Sequence, residues 1–339
     1  MMRVNGQDVK KIMVTGGAGF IGSNFIRHIH DHFPDIELLN YDKLTYAGNL
    51  ENLAGIEGGY VFVQGDIQDA DRVDAAMAGV DVVVNFAAET HVDRSIHDPG
   101  AFILTDVYGV FVLLEAMKKS GQVKLFVHVS TDEVYGSIAD GFFNENSPLN
   151  PSSPYAASKA GGDRLAYSYF KTFDLPVLIA RPANNYGPYQ FPEKLIPFFI
   201  TRALQDQTLP LYGDGSNCRD WLYVEDTVRG ILTLVEKGEP GQAYNLGAGQ
   251  ECSNIDLTRQ ILRHLGKPES LIRAVADRKG HDFRYALDWG KMRGLDWQPQ
   301  TGFAEGLKRT VEWYLGHRDW WAKLIDKNSF QSHLRKNYE

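Results

Sequence analysis

Short apolar runs recur through the first half of the chain with helical stretches between them. Residues 11–15 (KIMVT), 36–41 (IELLNY), 60–64 (YVFVQ), 81–86 (DVVVNF), 123–130 (VKLFVHVS) and 176–180 (PVLIA) are apolar along most of their length instead of alternating. A strand of that kind is buried on both faces. Because helical segments separate most of the runs, neighbouring strands are joined by crossovers and run parallel, with helices over both faces of the sheet. The expected fold class is α/β.

The first run leads into Gly17-Ala-Gly19-Phe-Ile-Gly22, and a helix is expected over residues 23–32. Strand, glycine turn and helix in that order form a dinucleotide-binding signature. Gly17 and Gly19 permit a tight turn and close approach of a pyrophosphate, and Gly22 lets the helix pack near the strand. The helix N-terminus offers unpaired N–H groups to phosphate. Asp42 closes the second strand, where an acid hydrogen-bonds ribose hydroxyls and repels a 2′-phosphate, which favours NAD over NADP; Lys43 weakens that preference. Asp66, ending the third strand, serves either the adenine amino group or a helix N-cap. The sheet is thus expected to be Rossmann-type.

A second group of residues carries chemistry. Thr131-Asp132-Glu133-Val134-Tyr135-Gly136 places two carboxyls and a hydroxyl at a strand end. Tyr155 and Lys159 stand four apart on a helix that opens with Ser153-Pro154, so both lie on one face. A phenol titrates near about 10, and an adjacent ammonium together with a nicotinamide cation would lower that value. Taken alone, a Tyr-xxx-Lys pair is a packed ring and a surface charge, and an Asp-Glu pair is a solvated turn.

These features together resemble the extended short-chain dehydrogenase/reductases. Within them, Ser130–Gly136, Arg181-Pro-Ala-Asn-Asn-Tyr-Gly-Pro188, Gly213-Asp-Gly-Ser-Asn-Cys-Arg-Asp220 and Gly280-His-Asp282 closely resemble the dTDP-glucose 4,6-dehydratase family, and the resemblance runs from about Lys11 to beyond Asp288. It implies bound NAD, dTDP-glucose as substrate and a three-stage reaction. Tyr155 takes the C4 hydroxyl proton as C4 is oxidised, with Lys159 beside it and Thr131 bonded near the C4 oxygen. Glu133 removes the C5 hydrogen, Asp132 protonates the departing C6 hydroxyl, and hydride returns to C6. The cofactor residues it implies are Gly16, Gly19, Phe20, Ile21, Gly22, Asp42, Lys43, Asp66, Ile67, Ala87, Ala88, Thr105, Tyr155 and Lys159. For the nucleotide-sugar it implies His91, Thr131, Asn184, Lys194, Leu195, Tyr212, Arg219, Asn254, Arg278 and His281, with the two arginines on the diphosphate and Tyr212 against the base. Four positions depart from the family pattern: Asp106 where Asn is usual, Val110 for Thr, Lys279 for Pro and Phe283 for Arg.

The remaining expectations concern organisation and setting. After Pro188 the alternation breaks down, giving a Rossmann domain of residues 1–188 and 222–250 and a smaller C-terminal α/β substrate-binding domain of 189–221 and 251–339. Helix 224–236 and strand 242–246 return to the main sheet. Helices 102–120 and 155–172 are apolar on two sides, which predicts a homodimer built on them. Net charge of −8 argues against nucleic-acid or membrane-surface partners. No apolar run is expected to span a bilayer, and the N-terminus lacks the apolar region of a signal peptide and leads directly into a strand. Two cysteines, Cys218 and Cys252, fit a reducing cytoplasm. No close histidine spacing points to a metal. Two other readings compete: another nucleotide-sugar enzyme of the same fold (a UDP-sugar 4,6-dehydratase, a 4-epimerase or a UDP-glucuronate decarboxylase), and a non-catalytic NAD-sensing protein. An epimerase or decarboxylase needs no elimination pair at C5 and C6, and a sensor needs no Tyr-Lys pair.

Overall fold

The computed structural model describes residues 2–278, 280–328, 330–332 and 334. Seven parallel strands form one sheet in the order Tyr60–Gln64, Glu37–Asp42, Lys11–Thr15, Val82–Asn85, Leu125–Val129, Val177–Pro182, Ala243–Leu246. All six expected runs are present, two with the expected ends and four with ends shifted by one or two residues, and the 242–246 segment returns to the sheet edge. The winding reverses between Lys11–Thr15 and Val82–Asn85, and a crevice opens outside the carboxyl ends of strands at such a reversal.

Alternation along the strands sorts the core into two layers. Ile12, Val14, Val82 and Val84 point to one face and pack with Phe25, Ile26, Val228 and Ile231 of helices Phe20–His32 and Val224–Lys237. Met13, Val83 and Phe126 point to the other, under Val73, Val110, Leu113 and Ala166 of helices Ala70–Ala76, Val110–Ser120 and Pro154–Phe173. A short hairpin, Arg3–Val4 with Gln7–Asp8, precedes the first strand. The expectation that the N-terminus leads directly into the sheet missed it, because two-residue strands carry no periodic signal.

The helix expected at 102–120 is a composite. It begins as Pro99–Ile103, loosens into a π-helical turn at Leu104–Gly109, and continues as Val110–Ser120. It also corrects the expectation about membrane-length runs: Pro99–Ser120 is 22 residues long and contains an 18-residue stretch of mean hydropathy 1.7, long and apolar enough to cross a bilayer by length and composition. Half of its most apolar stretch is buried inside the fold. Ile103, Leu104, Tyr108 and Phe111 are exposed on it.

A second cluster of structure follows the sixth strand. Leu209–Tyr212 pairs in parallel with Ile272–Val275, and Cys218–Tyr223 lies between Asn184–Tyr186 and Glu251–Ser253. The strand Asn184–Tyr186 belongs to this smaller sheet, although it precedes the expected domain boundary. Helices Leu195–Leu204, Asn254–Leu265, Phe303–Gly316 and Arg318–Ile325 close a separate core around Phe198, Phe199, Leu257, Ile261 and Trp321.

Candidate active site

A long cleft runs across the carboxyl ends of the strands and continues between the two cores. Its first part is lined by every residue expected to hold the cofactor: Gly16, Gly19, Phe20, Ile21, Gly22, Asp42, Lys43, Asp66, Ile67, Ala87, Ala88, Thr105, Tyr155 and Lys159. Gly16 has φ +69°, and a Cβ there would lie 2.7 Å from the Ala87 nitrogen, so the turn admits no side chain. Gly17 plays a different part from the one expected. A Cβ on it would meet Asn40 and Ile26 at 2.4 and 2.5 Å, so it faces inward and allows helix Phe20–His32 to pack on the sheet.

Asp42 sits at the rim with its carboxylate fixed by two backbone donors, Ala18 N at 2.9 Å and Leu44 N at 2.7 Å. Lys43 is paired with Asp66 at 2.7 Å, so its charge is already matched. Asp66 also accepts from Gln68 N. The N-cap of helix Ala70–Ala76 is Asp69, which accepts from Arg72 N; the N-cap alternative for Asp66 is therefore corrected by three positions.

At the far end of this part, strand Leu125–Val129 runs into a single 3-10 turn, Asp132–Tyr135. Thr131 caps it, accepting from Glu133 N at 3.3 Å and donating to Asp132 Oδ1 at 3.1 Å. The turn stands over the Tyr155 helix, and Thr131, Asp132, Glu133, Tyr155 and Lys159 line one stretch of cleft. Asp132 is buried and its Oδ2 has no hydrogen-bond partner among the described residues. Burial, with the neighbouring Glu133 charge, raises its pKa to about 8. Burial raises Glu133 as well, but Arg219, Lys194 and Arg278 pull in the other direction. The two carboxyls are thus placed unequally, with Asp132 holding its proton near neutrality and Glu133 facing cations.

Lys159 donates to the Val129 carbonyl at 2.8 Å. Burial lowers its pKa, and Asp106 and Asp163 oppose that. The expectation that Lys159 makes the Tyr155 phenol acidic is not met by the protein's own groups. Burial, then Glu133 and Asp106, hold Tyr155 well above the ordinary phenol value, and a hydrogen bond with Thr131 partly offsets them.

The second part of the cleft is lined by His91, Asn184, Lys194, Leu195, Tyr212, Arg219, Asn254, Arg278 and His281, with Glu133, Asn184 and Lys194 common to both parts. Thr131, also expected to touch the sugar, lies in the first part. Several of these residues are held by partners that the sequence did not reveal. Arg278 pairs with buried Asp93 at 2.6 Å and lies over the Tyr212 ring at 5.1 Å. Arg219 donates to the carbonyls of Cys218, Asp282 and Phe283 at 2.7, 2.9 and 3.1 Å. His281 contacts Asp277 at 2.7 Å. His91 has φ +95° and meets the Glu193 carbonyl at 3.3 Å. Asn184 Oδ1 is buried without a partner among the described residues.

Of the family departures, Asp106 is the informative one. It is buried in the π-helical turn, accepts from Glu89 N at 2.9 Å and from Ser158 Oγ at 2.7 Å, and titrates near about 6 because of burial. Glu89, absent from the expected residues, lines the cleft beside it and is raised to about 7 by burial and Asp106. Asp93, Glu89 and Glu193 were missed because an isolated acid carries no periodic or spacing signal; only the position of Asp93 within Thr90–Ser95 hinted at it. Val110 is a buried core residue, Phe283 is exposed, and Lys279 lies outside the described residues.

A reversed parallel sheet, a glycine turn that admits no side chain, and a Tyr-Lys pair in the same cleft define an extended short-chain dehydrogenase/reductase. Residues 13–310 match the family model described as GDP-mannose 4,6 dehydratase. A dTDP-glucose 4,6-dehydratase of Streptomyces niveus is 49% identical over 321 residues, covering 93% of this chain and 95% of the relative. The low-salt glycan biosynthesis protein Agl12 of Haloferax volcanii is 50% identical over 307 residues, covering 90% and 98%. The crystal structure of DesIV, a dTDP-glucose 4,6-dehydratase from Streptomyces venezuelae with NAD and TYD bound, superposes with a TM-score of 0.90 at 51% identity, covering 93% of this chain and 99% of that one. The chain belongs to the dTDP-glucose 4,6-dehydratase family.

Proposed function

We propose that the protein converts dTDP-glucose to dTDP-4-keto-6-deoxyglucose and water, as an NAD-dependent hydro-lyase that regenerates its cofactor in each turnover. One observation carries this reading: an unequal pair of carboxyls, buried Asp132 and half-buried Glu133, shares a cleft with Tyr155 and Lys159. Elimination of water across neighbouring carbons requires an acid and a base with different proton affinities.

NAD, held along the glycine turn by Gly16, Gly19, Gly22 and Asp42, supplies a two-electron acceptor that takes hydride from C4 and gives it back at C6. Tyr155 accepts the C4 hydroxyl proton as its phenolate, a form that the positive nicotinamide ring of bound NAD and the Lys159 ammonium favour against the burial that keeps the phenol neutral without them, and Thr131 hydrogen-bonds the C4 oxygen. The resulting ketone acidifies C5–H, and Glu133 removes that proton. Asp132, protonated at pH 7, delivers its proton to the C6 hydroxyl, which leaves as water. Glu133 then returns a proton to C5. Arg219, Arg278 and Lys194 place positive charge along the second part of the cleft, where the diphosphate binds.

The chain is assigned as two domains close to the boundaries expected above, except that Asn184–Tyr186 goes with the smaller sheet and Leu287, Met292 and Trp297 with the core of the main sheet, with the nucleotide-sugar between the two. We assign it to the cytoplasm, in keeping with two free cysteines, and as a homodimer through the apolar surface of Ile103, Leu104, Tyr108 and Phe111. Light scattering of a Leu104→Glu variant tests that face: a shift from dimer to monomer is expected, and a monomeric wild type removes the assignment.

The function itself is tested with dTDP-glucose and UDP-glucose in parallel. The keto-sugar is followed by its alkaline absorbance, and no net NADH should be released. Clean formation of a 4-epimer would overturn the assignment, and equal turnover of both substrates would remove the base preference.

A further inference from the structure

Tyr135 closes the turn that carries both elimination carboxyls, and it points away from the cleft into a buried polar network. Its hydroxyl donates to Asn245 Oδ1 at 2.7 Å and accepts from Arg181 Nη1 at 2.7 Å. Arg181 in turn grips Asp163 with two parallel bonds, Nε to Oδ2 at 2.8 Å and Nη2 to Oδ1 at 2.9 Å. Asn245 is fixed from its own side. Its nitrogen donates to Glu145 at 2.9 Å, and its amide donates to the Phe143 and Asp288 carbonyls at 3.1 and 3.0 Å. Tyr135, Arg181, Asp163 and Asn245 are at most 1% exposed, so every one of these polar groups depends on the others for satisfaction. Phe143 stacks on the Tyr135 ring at 5.1 Å.

The network joins four elements. Asp163 lies one turn beyond Lys159 on the helix that also carries Tyr155, and its charge acts on Lys159. Arg181 is on the sixth strand of the sheet and Asn245 on the seventh. Tyr135 stands two residues after Glu133 and three after Asp132 in the 3-10 turn. The groups that oxidise C4 and the groups that eliminate across C5 and C6 are thereby mounted on one hydrogen-bonded frame. The turn is short, and Asn150 N donates to its Val134 carbonyl at 3.0 Å.

We infer that Tyr135 is a positioning residue for the elimination step: through Arg181–Asp163 and Asn245 it holds Asp132 and Glu133 in register with Tyr155 and Lys159. This rests on the dehydratase reading above. The Asp163–Arg181 pair stays intact without the phenol, so the oxidation groups keep their support while the turn loses its anchor.

The test is Tyr135→Phe, which keeps the ring and its stacking and removes one hydroxyl. Two rates are measured per folded active site with dTDP-glucose: enzyme-bound NADH formation in a single turnover, and solvent deuterium incorporation at C5. C5 exchange should fall about tenfold or more, while NADH formation changes less than about threefold. A merely structural defect lowers both rates alike and leaves their ratio unchanged, and that result would overturn the inference, as would an unchanged ratio with unchanged rates. Should Tyr135→Phe give no folded protein, Asn245→Ala carries the same measurement by removing the acceptor of the phenol. A wild-type enzyme that forms no keto-deoxysugar defeats the dehydratase reading itself, whereas normal wild-type turnover with an unshifted ratio in the variant defeats only the role of Tyr135.

Discussion

The two parts of the cleft are made from different kinds of group. Around the glycine turn the surface is largely backbone. Gly16, Gly19 and Gly22 bring the main chain to the surface, a helix N-terminus faces the cleft, and the one buried carboxylate, Asp42, is pinned by two peptide N–H groups. Around Tyr155 the surface is buried and half-buried ionisable side chains, each displaced from its ordinary pKa by desolvation and by its neighbours. The first kind of construction grips a ligand without taking part in proton traffic. The second couples every titration to the next, which suits a reaction that moves protons at three neighbouring carbons. A substitution at the glycine end should therefore act on affinity, and one at the reacting end on particular chemical steps.

That contrast can be broken at several points. The largest effect is expected for Tyr155→Phe, which should lower NADH formation on dTDP-glucose at neutral pH by about 10³-fold. Near-normal NADH formation in a single-turnover absorbance trace would remove Tyr155 as the proton acceptor. Glu133→Gln should lower C5 hydrogen exchange by about 10²-fold or more while NADH formation persists. Unchanged exchange by NMR would rule Glu133 out as base. At the other end, Asp42→Ala should weaken NAD retention by about tenfold, the loss of one or two hydrogen bonds, with little change in the rate of the chemical steps once NAD is saturating. A lower rate at saturating NAD would erase the proposed division of labour.

The smallest effect is on stability. Asp132 titrates near about 8 in the folded protein against an ordinary 3.8, so folding takes up a proton between those values. Stability fully present below pH ~4 is then lost progressively as pH rises through about 8. Asp132→Asn abolishes that slope. The variant should melt about 2–4 °C above wild type at pH 7.5, with a smaller gain at pH 5. An equal gain at both values by calorimetry would show that Asp132 is not a proton-holding group.

Much of the cofactor end was legible because its parts are contiguous or sit at strand ends. A strand, Gly16–Gly22 and the next helix are one local unit, and Asp42 is found by counting to the end of the following strand. The exchange of roles between Gly16 and Gly17 was not legible, since it depends on which glycine has positive φ and which faces Asn40 and Ile26. At the reacting end the motif Thr131–Gly136 and the Tyr155–Lys159 pair were visible as residues, but their protonation was not. The value near 8 for Asp132 comes from burial beneath elements distant in sequence. The high value for Tyr155 came out opposite to the expectation from Lys159 alone, because burial raises it first and Glu133 and Asp106 lie close by.

By itself the sequence determined the parallel α/β sheet, through apolar runs that only a doubly covered strand can bury, and the identity of the groups that line the cleft, through short motifs with fixed internal spacing. Tertiary structure alone decided which acid keeps its proton and which cation pairs with which acid, as Arg278 does with Asp93 and Lys43 with Asp66. It alone decided, too, that Tyr135 faces Arg181 and Asn245. The reason is physical: spacing along a chain sets which side chains share a face, whereas solvation and Coulomb energy depend on everything within a few ångströms, whatever its place in the sequence.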